Sequence, residues 1–146
     1  MFKKFIKFNI KISNILSNKY PLFFKGRRDG KKELVKLVKV FSSNQKNIDI
    51  LEIGGIDRPI LNKSSNYKYS GLDIEFKKNC NELYDQFLVQ SIEEKIINQY
   101  NLIFSTTLIE HVRNNKKAFT NIYNSLLEEG YTYHYIPSKN HFYSFI

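Results

Sequence analysis

The chain reads as an open α/β sheet of five parallel strands in the order 3-2-1-4-5, with helices on both faces and a basic helical arm ahead of it. Three observations predict this. Five short apolar runs are separated by helix-length segments, the pattern of strands joined by right-handed crossovers. The run Ile50-Leu51-Glu52-Ile53 stops at Gly54 and Gly55, and the run Gly71-Leu72 stops at Asp73. Two neighbouring parallel strands end this way when their C-terminal ends face one ligand. The charge is also split: residues 1–47 carry 13 Lys/Arg against 2 Asp/Glu, net +11, whereas residues 48–146 are net −2.

The elements follow in order. In residues 1–20, Phe2, Phe5, Ile6, Ile12, Ile15 and Leu16 fit a helical stripe, although Ile6, Phe8, Ile10 and Ile12 alternate like a strand. Helix is preferred, and Pro21 breaks it. Residues 25–32 form a basic turn with Gly26 and Gly30. Leu34, Leu37, Val38 and Phe41 then mark a helix with lysines on its other face, and 42–46 is a loop. Strand 1 is 48–53. After Gly55, Asp57 and Arg58 open a helix, with Pro59 suited to its first turn. Strand 2 lies near 68–74 and strand 3 near 86–90, with a short helix near 92–99. Strand 4 is 102–105. Ala118, Phe119, Ile122, Tyr123, Leu126 and Leu127 place a helix over 115–128, which Gly130 ends as a C′ residue. Strand 5 is 131–136, with Tyr131, Tyr133 and Tyr135 on one face and Thr132 and His134 on the other. The domains implied are a basic arm, 1–47, and an α/β domain, 48–146.

Composition bounds the function. A chain of 146 residues, 42% hydrophobic and 15% aromatic, can bury one core. Its single cysteine, Cys80, forms no internal disulfide and no cysteine-rich metal site, and it favours a reducing compartment. No run approaches the ~18 apolar residues of a membrane span. Lys7 and Lys11 interrupt the N-terminal apolar residues, so no signal-peptide core is visible and the default location is the cytoplasm. AT-rich codons inflate Lys throughout but do not explain the charge asymmetry. A basic arm beside a near-neutral domain suggests an anionic surface, peripheral membrane included. The arm shows no recognised nucleic-acid motif and no aromatic–basic repeat.

The chemistry concentrates at the glycines. Gly54 and Gly55 let the backbone turn sharply and approach a ligand. Asp73 lies 19 positions after Gly54, the distance at which a nucleoside-binding fold places its ribose acid. A dinucleotide loop would read Gly-x-Gly-x-x-Gly, and a triphosphate loop would end in Lys-Ser/Thr. Neither is present, and Asp57 in the loop repels phosphate but suits a ligand bearing an ammonium group. Each residue has a plainer reading. The glycines also fit an ordinary strand-to-helix turn, Asp73 a helix N-cap, and Asp57 a cap of the next helix. Glu75 is an alternative to Asp73. His111 after strand 4 stands where a general base would, and His134 on strand 5 is either a second base or a hydrogen-bonded core residue. The three histidines, His111, His134 and His141, lack metal-ligand spacing.

These residues resemble the class I S-adenosylmethionine-dependent methyltransferases. Glu52-Ile53-Gly54-Gly55 resembles that family's first motif and Asp73 its second. Tyr100 to Ser105 followed by Glu110-His111-Val112 is similar to the strand and Glu-His-Val segment of its type-11 group. The resemblance covers about residues 48–137. It implies a Rossmann-like sheet and S-adenosyl-L-methionine as cofactor, held by Glu52, Gly54, Gly55, Asp57, Asp73 and Ser105. It further implies methyl transfer to a small-molecule or glycan-like acceptor. Ile56 stands where the family has a further glycine, Tyr100-Asn101 where it has an aromatic-Asp pair, and Val89-Gln90-Ser91 lacks its adenine-side acid. The family's sheet continues through two further strands beyond Ser138 to Ile146, so the resemblance implies a truncated enzyme. The alternatives are a non-catalytic remnant and a basic module that binds an anionic surface.

Overall fold

A computed structural model describes residues 30–136 together with 8, 11, 12, 15, 16 and 18–20, and the structural statements below concern these residues. Within the first twenty residues, Phe8, Lys11, Ile12, Ile15, Leu16, Asn18 and Lys19 are helical, as the stripe predicts. The expectations for residues 25–29 and 137–146 lie outside the described residues.

The elements are α1 (Gly30–Asn44), β1 (Ile48–Ile53), β2 (Tyr67–Asp73), α2 (Cys80–Leu83), β3 (Gln86–Val89), β4 (Tyr100–Thr106), a 3-10 turn (Ile109–His111), α3 (Asn115–Asn124) and β5 (Leu126–Tyr135). The five strands form one sheet in the order β3-β2-β1-β4-β5, all pairs parallel. The sheet order and open Rossmann-like architecture are those the sequence predicts. In register across its C-terminal end stand Leu88, Leu72, Ile53, Ser105 and His134.

The central strands are apolar on both faces, as strands covered from two sides must be. One face carries Leu34 and Val38 of α1 against Ile48, Ile50, Leu102 and Phe104. The other carries Ala118 and Ile122 of α3 against Leu51, Ile53, Leu72 and Ile103. Leu61, Cys80 and Tyr84, on the connections β1–β2 and β2–β3, belong to the α1 face. Ile92, Ile96 and α3, on the connections β3–β4 and β4–β5, belong to the opposite face. The crossovers therefore change faces between β1 and β4. An open α/β sheet has its ligand crevice at such a switch, outside the carboxyl ends of the strands.

Several predicted boundaries are corrected. No helix follows Gly55: residues 54–66 are turns and bends. Asp57 and Arg58 thus open no helix, and Pro59 does not begin one. This stretch is rich in Gly, Asn and Ser, and tertiary contacts take its backbone groups instead. The Ile60 N–H donates to Glu52 Oε2 at 3.1 Å, the Leu61 N–H to the Tyr69 hydroxyl, and the Cys80 thiol to the Ile56 carbonyl. No helix forms at 92–99 either. Ile92 and Ile96 anchor that segment in the core. Asn121 Nδ2 donates to the carbonyls of Ile92 and Glu94, both at 2.8 Å. The Glu93 carboxylate accepts from the amides of Arg113 and Asn114.

The helix expected over 115–128 ends at Asn124 with Ser125 as its cap, and Leu126 already pairs with Tyr100. Gly130 is therefore not a helix C′ residue. It lies in an irregular stretch of β5, where a Cβ would meet the Leu127 and Tyr100 carbonyls. At the other end of the chain, α1 starts at Gly30 and runs to Asn44, so 30–32 are helix, not turn, and 42–44 are helix, not loop. A Cβ at Gly30 would strike the Tyr135 ring, which explains a glycine opening this helix. Leu37 faces solvent, off the packed stripe. On β5 the alternation holds: Tyr131 meets Phe41, Tyr133 and Tyr135 pack on the α1 side, and His134 lies on the α3 side against Phe119.

Candidate functional site

The C-terminal ends of β1 and β2 form one ledge. The Gly54 N–H donates to the Leu72 carbonyl at 2.9 Å, and the Gln90 N–H donates to the Asp73 carbonyl at 3.0 Å. Gly54 therefore stands beside the Leu72–Asp73 peptide, with Gln90 on the far side. Asp73 is mostly buried; its Oδ1 accepts from the Glu75 N–H at 3.0 Å, which turns the chain back after the strand. That bond makes an Asx turn, not a helix cap. Its other carboxylate oxygen has no hydrogen-bond partner among the described residues. Glu75 itself is exposed.

The backbone above this ledge takes left-handed turns, strained at Ile56 and Thr107 and natural for Gly54. Gly54 has φ 85°, Ile56 φ 43° and Thr107 φ 52°, and these three lie in the loops that follow β1 and β4. For a β-branched residue the left-handed region is a true outlier. Such outliers collect at ligand clamps and active sites. Gly54 needs its glycine for the φ and because a Cβ would touch the Leu108 side chain at 2.9 Å. At Gly55 a Cβ would meet the Tyr84 hydroxyl and the Glu52 carboxyl carbon at 2.7 Å or less. The room these glycines leave is thus taken by side chains of the protein on that side.

Glu52 points inward, not along the ledge. It is essentially buried, on the α1 face beside Tyr69 and Tyr84. The Tyr69 hydroxyl and the Ile60 N–H both donate to its Oε2. Burial pushes the carboxyl up to about 7, and the two hydrogen bonds and the Lys31 charge pull it back only in part. Burial beside that carboxylate also pushes the Tyr69 phenol far up, so it stays a donor. The carboxyl fixes the 54–61 loop from below.

Asp57 is partly exposed. Its Oδ2 accepts from Lys77 Nζ at 2.8 Å, and that bond holds its carboxyl below the usual range. The pair ties the loop after β1 to the loop after β2, across the ledge. Ser105 is fully buried, and its hydroxyl pairs with His134 Nδ1 at 2.7 Å. The other ring nitrogen of His134 pairs with Thr132 Oγ1 at 2.6 Å, and Phe119 meets the ring edge-on. Burial lowers His134 to about 4, so it is neutral near pH 7. His111 is exposed in the 3-10 turn, 4.0 Å from Glu110. The structure therefore gathers Gly54, Gly55 and Asp73 at one edge and Ser105 with His134 under α3, while Asp57 and His111 lie on surface loops.

Tyr69, Tyr84 and Gln90 escape the sequence reading. Tyr69 and Tyr84 look like ordinary strand and turn aromatics. Gly71 gives the one legible signal, since a Cβ there would strike Phe87 and Tyr84. Among the described residues no cluster of His, Cys, Asp or Glu suits a metal, and no helix is long and apolar enough to cross a membrane. An open cleft of about 430 Å³ lies at the opposite end of β1 and β2, lined by Asn47, Asp49, Ser64, Lys68 and Asp85. It is separated from the ledge by the length of β1, ~17 Å.

No protein-family profile and no curated protein matches the sequence. Solved structures do match the fold. One is a TehB-like SAM-dependent methyltransferase from Corynebacterium glutamicum, with a TM-score of 0.60 and 16% identity over 84% of this chain and 70% of that one. Another is the N-methyltransferase NodS from Bradyrhizobium japonicum in complex with S-adenosyl-L-homocysteine, at 0.57 and 12% over 75% and 63%. A third is coclaurine N-methyltransferase bound to N-methylheliamine and SAH, at 0.56 and 16% over 70% and 34%. The chain thus has the sheet and topology of SAM-dependent methyltransferases, and it spans about a third to 70% of the length of these three.

Proposed function

We propose that residues 48–146 bind S-adenosylmethionine along the ledge of β1 and β2, as the cofactor-binding part of a methyltransferase. The acceptor in this reading is a small molecule or a glycan-like one, methylated on oxygen, nitrogen or carbon. One observation carries the proposal. The Gly54 turn after β1 is hydrogen-bonded to the Leu72–Asp73 peptide that ends β2, beside the face switch of a 3-2-1-4-5 sheet. Neighbours of the same fold hold SAH, which supports the choice of nucleoside.

The residues divide the work as follows. Asp73 accepts hydrogen bonds from the ribose hydroxyls through the oxygen not committed to Glu75. The backbone of Gly54 and Gly55 approaches the methionine half. Glu52 is a positioning residue that holds the 54–61 loop through Ile60 and Tyr69. The Asp57–Lys77 pair ties the two loops together beside the site, and a ligand ammonium group would reach Asp57 by sharing its carboxylate with Lys77. Ser105 acts from beneath, by orienting His134 and β5. The cofactor supplies an electrophilic methyl on a sulfonium, so the protein's task is chiefly in-line positioning of the acceptor. His111, open to solvent, is better placed than His134 to take a proton from the acceptor.

Isothermal titration with S-adenosylmethionine tests the site. The intact chain should bind, and Asp73→Ala should weaken binding roughly ten- to hundredfold, because a charge-assisted hydrogen bond contributes ~1.5–3 kcal/mol. Undiminished binding by the Asp73→Ala protein contradicts the assignment. A second reading is a non-catalytic protein that binds the cofactor. It is supported by His134, whose two ring nitrogens are both engaged and which is neutral near pH 7. Cofactor binding without transfer of labelled methyl to any acceptor pool would favour it.

A further inference from the structure

The arm carries an exposed hydrophobic stripe that joins neither core cluster. Phe8, Ile12, Ile15 and Leu16 recur at i, i+4, i+7 and i+8, which places them on one side of a helix. They are 60%, 38%, 53% and 42% exposed, and none belongs to either core cluster. The Tyr20 N–H donates to the Leu16 carbonyl, so the turn persists to its end, and Lys19 lies over the Tyr20 ring. The simplest use of such a stripe is to pack on the sheet, and these residues do not.

The charge around it has one sign. Lys11 borders the stripe and Lys19 sits in its last turn, and the sequence adds Lys3, Lys4 and Lys7 just upstream. The first 47 residues are net +11 and the remainder net −2. The same pairing recurs on α1, where Leu37 and Val40 are exposed beside Lys36 and Lys39. A lone apolar stripe fits any hydrophobic partner, and a lone basic patch fits any polyanion. Together they fit a surface that is anionic at the plane of the lysines and apolar just beneath it.

We infer that this stripe lies on an anionic lipid bilayer, with Phe8, Ile12, Ile15 and Leu16 in the headgroup–acyl boundary and Lys11 and Lys19 at the phosphates. An amphipathic basic helix lies in that plane, its apolar face ~5–10 Å deep. Long lysine side chains keep their ammonium groups at the interface. Each lysine near such a surface contributes ~1 kcal/mol, about fivefold in partitioning. The placement is independent of the methyl-transfer reading.

Co-sedimentation of the full chain with vesicles tests it. One set is phosphatidylcholine alone, the other contains about a third phosphatidylglycerol. The chain should partition at least about tenfold better to the anionic set, and raising salt to ~0.5 M should remove most of the difference. Ile12→Asn with Ile15→Asn keeps the charge and should lose about tenfold. Lys11→Gln with Lys19→Gln keeps the stripe and should lose about 25-fold. All four positions are exposed or helical surface, so the thermal melt of both variants should match that of the parent. Three outcomes overturn the inference: equal sedimentation with neutral and anionic vesicles, unchanged binding by the Ile variant, which would mean plain attraction to any polyanion, nucleic acid included, and a doubled mass in equilibrium sedimentation that the Ile variant abolishes, which would assign the stripe to a second copy.

Discussion

At the scale of single residues, two buried titratable groups pull stability in opposite directions. Glu52 has its pKa raised from 4.5 to about 7, so the folded chain binds the extra proton. Its contribution is present below pH ~4.5 and is lost as pH rises to ~7. His134 has its pKa lowered from 6.5 to about 4, so the unfolded chain binds the extra proton. Its contribution is present above pH ~6.5 and is lost as pH falls to ~4. Each spans about 2.5 units, on the order of 3 kcal/mol. The parent protein should therefore show a shallow stability profile between pH 4.5 and 6.5. Glu52→Gln should leave stability rising with pH across that window, and His134→Gln should leave it falling. Urea midpoints measured at half-unit steps check this, and parallel profiles for all three proteins would remove the account of both groups. The His134 environment matches one of its two sequence readings, a hydrogen-bonded core residue, whereas that of Glu52 is not legible beforehand. Glu52 sits in a glycine motif that suggests a ligand contact, and only Tyr69, 17 positions away, shows that the side chain turns inward.

Among the elements, the strands and the two long helices are readable, whereas the connections at 54–66 and 91–99 are not. β1 matches its expected bounds because Ile48, Ile50, Leu51 and Ile53, bounded by Asn47 and Gly54, have few alternatives. The connections at 54–66 and 91–99 have helix length, yet neither is helical. Glycine, proline and asparagine lower the helical preference of the first, and distant side chains satisfy its backbone. In the second, Asn121 of α3 donates to the Ile92 and Glu94 carbonyls, a contact that no local pattern reports. Asn121→Ala should therefore destabilise the chain by ~1–3 kcal/mol, since two carbonyls lose their donor. The slope of the urea transition should stay unchanged and its midpoint fall. A midpoint within error of the parent would mean water replaces the amide at no cost. The end of α3 was misplaced because Gly130 imitates a helix stop. It is glycine because two carbonyls crowd it.

At the scale of the whole molecule, the sheet order brings the loops after β1, β2 and β4 to one end of the sheet, which holds Gly54, the left-handed residues Ile56 and Thr107, and Asp73. The order was legible because alternating apolar runs admit few right-handed topologies. The site was legible in part: Gly54 and Asp73 meet as their spacing predicts, while Ser105 and His134 turn under α3. The central claim is that the ledge of β1 and β2 holds S-adenosylmethionine. Amide NMR of the labelled chain, titrated with S-adenosylhomocysteine, tests it most directly. The largest shifts should fall at Gly54, Gly55, Asp73 and Gln90 and be lost in Asp73→Ala. Shifts concentrated instead at Asn47, Ser64 and Lys68, around the cleft at the far end of the strands, or no shifts at all, would contradict it.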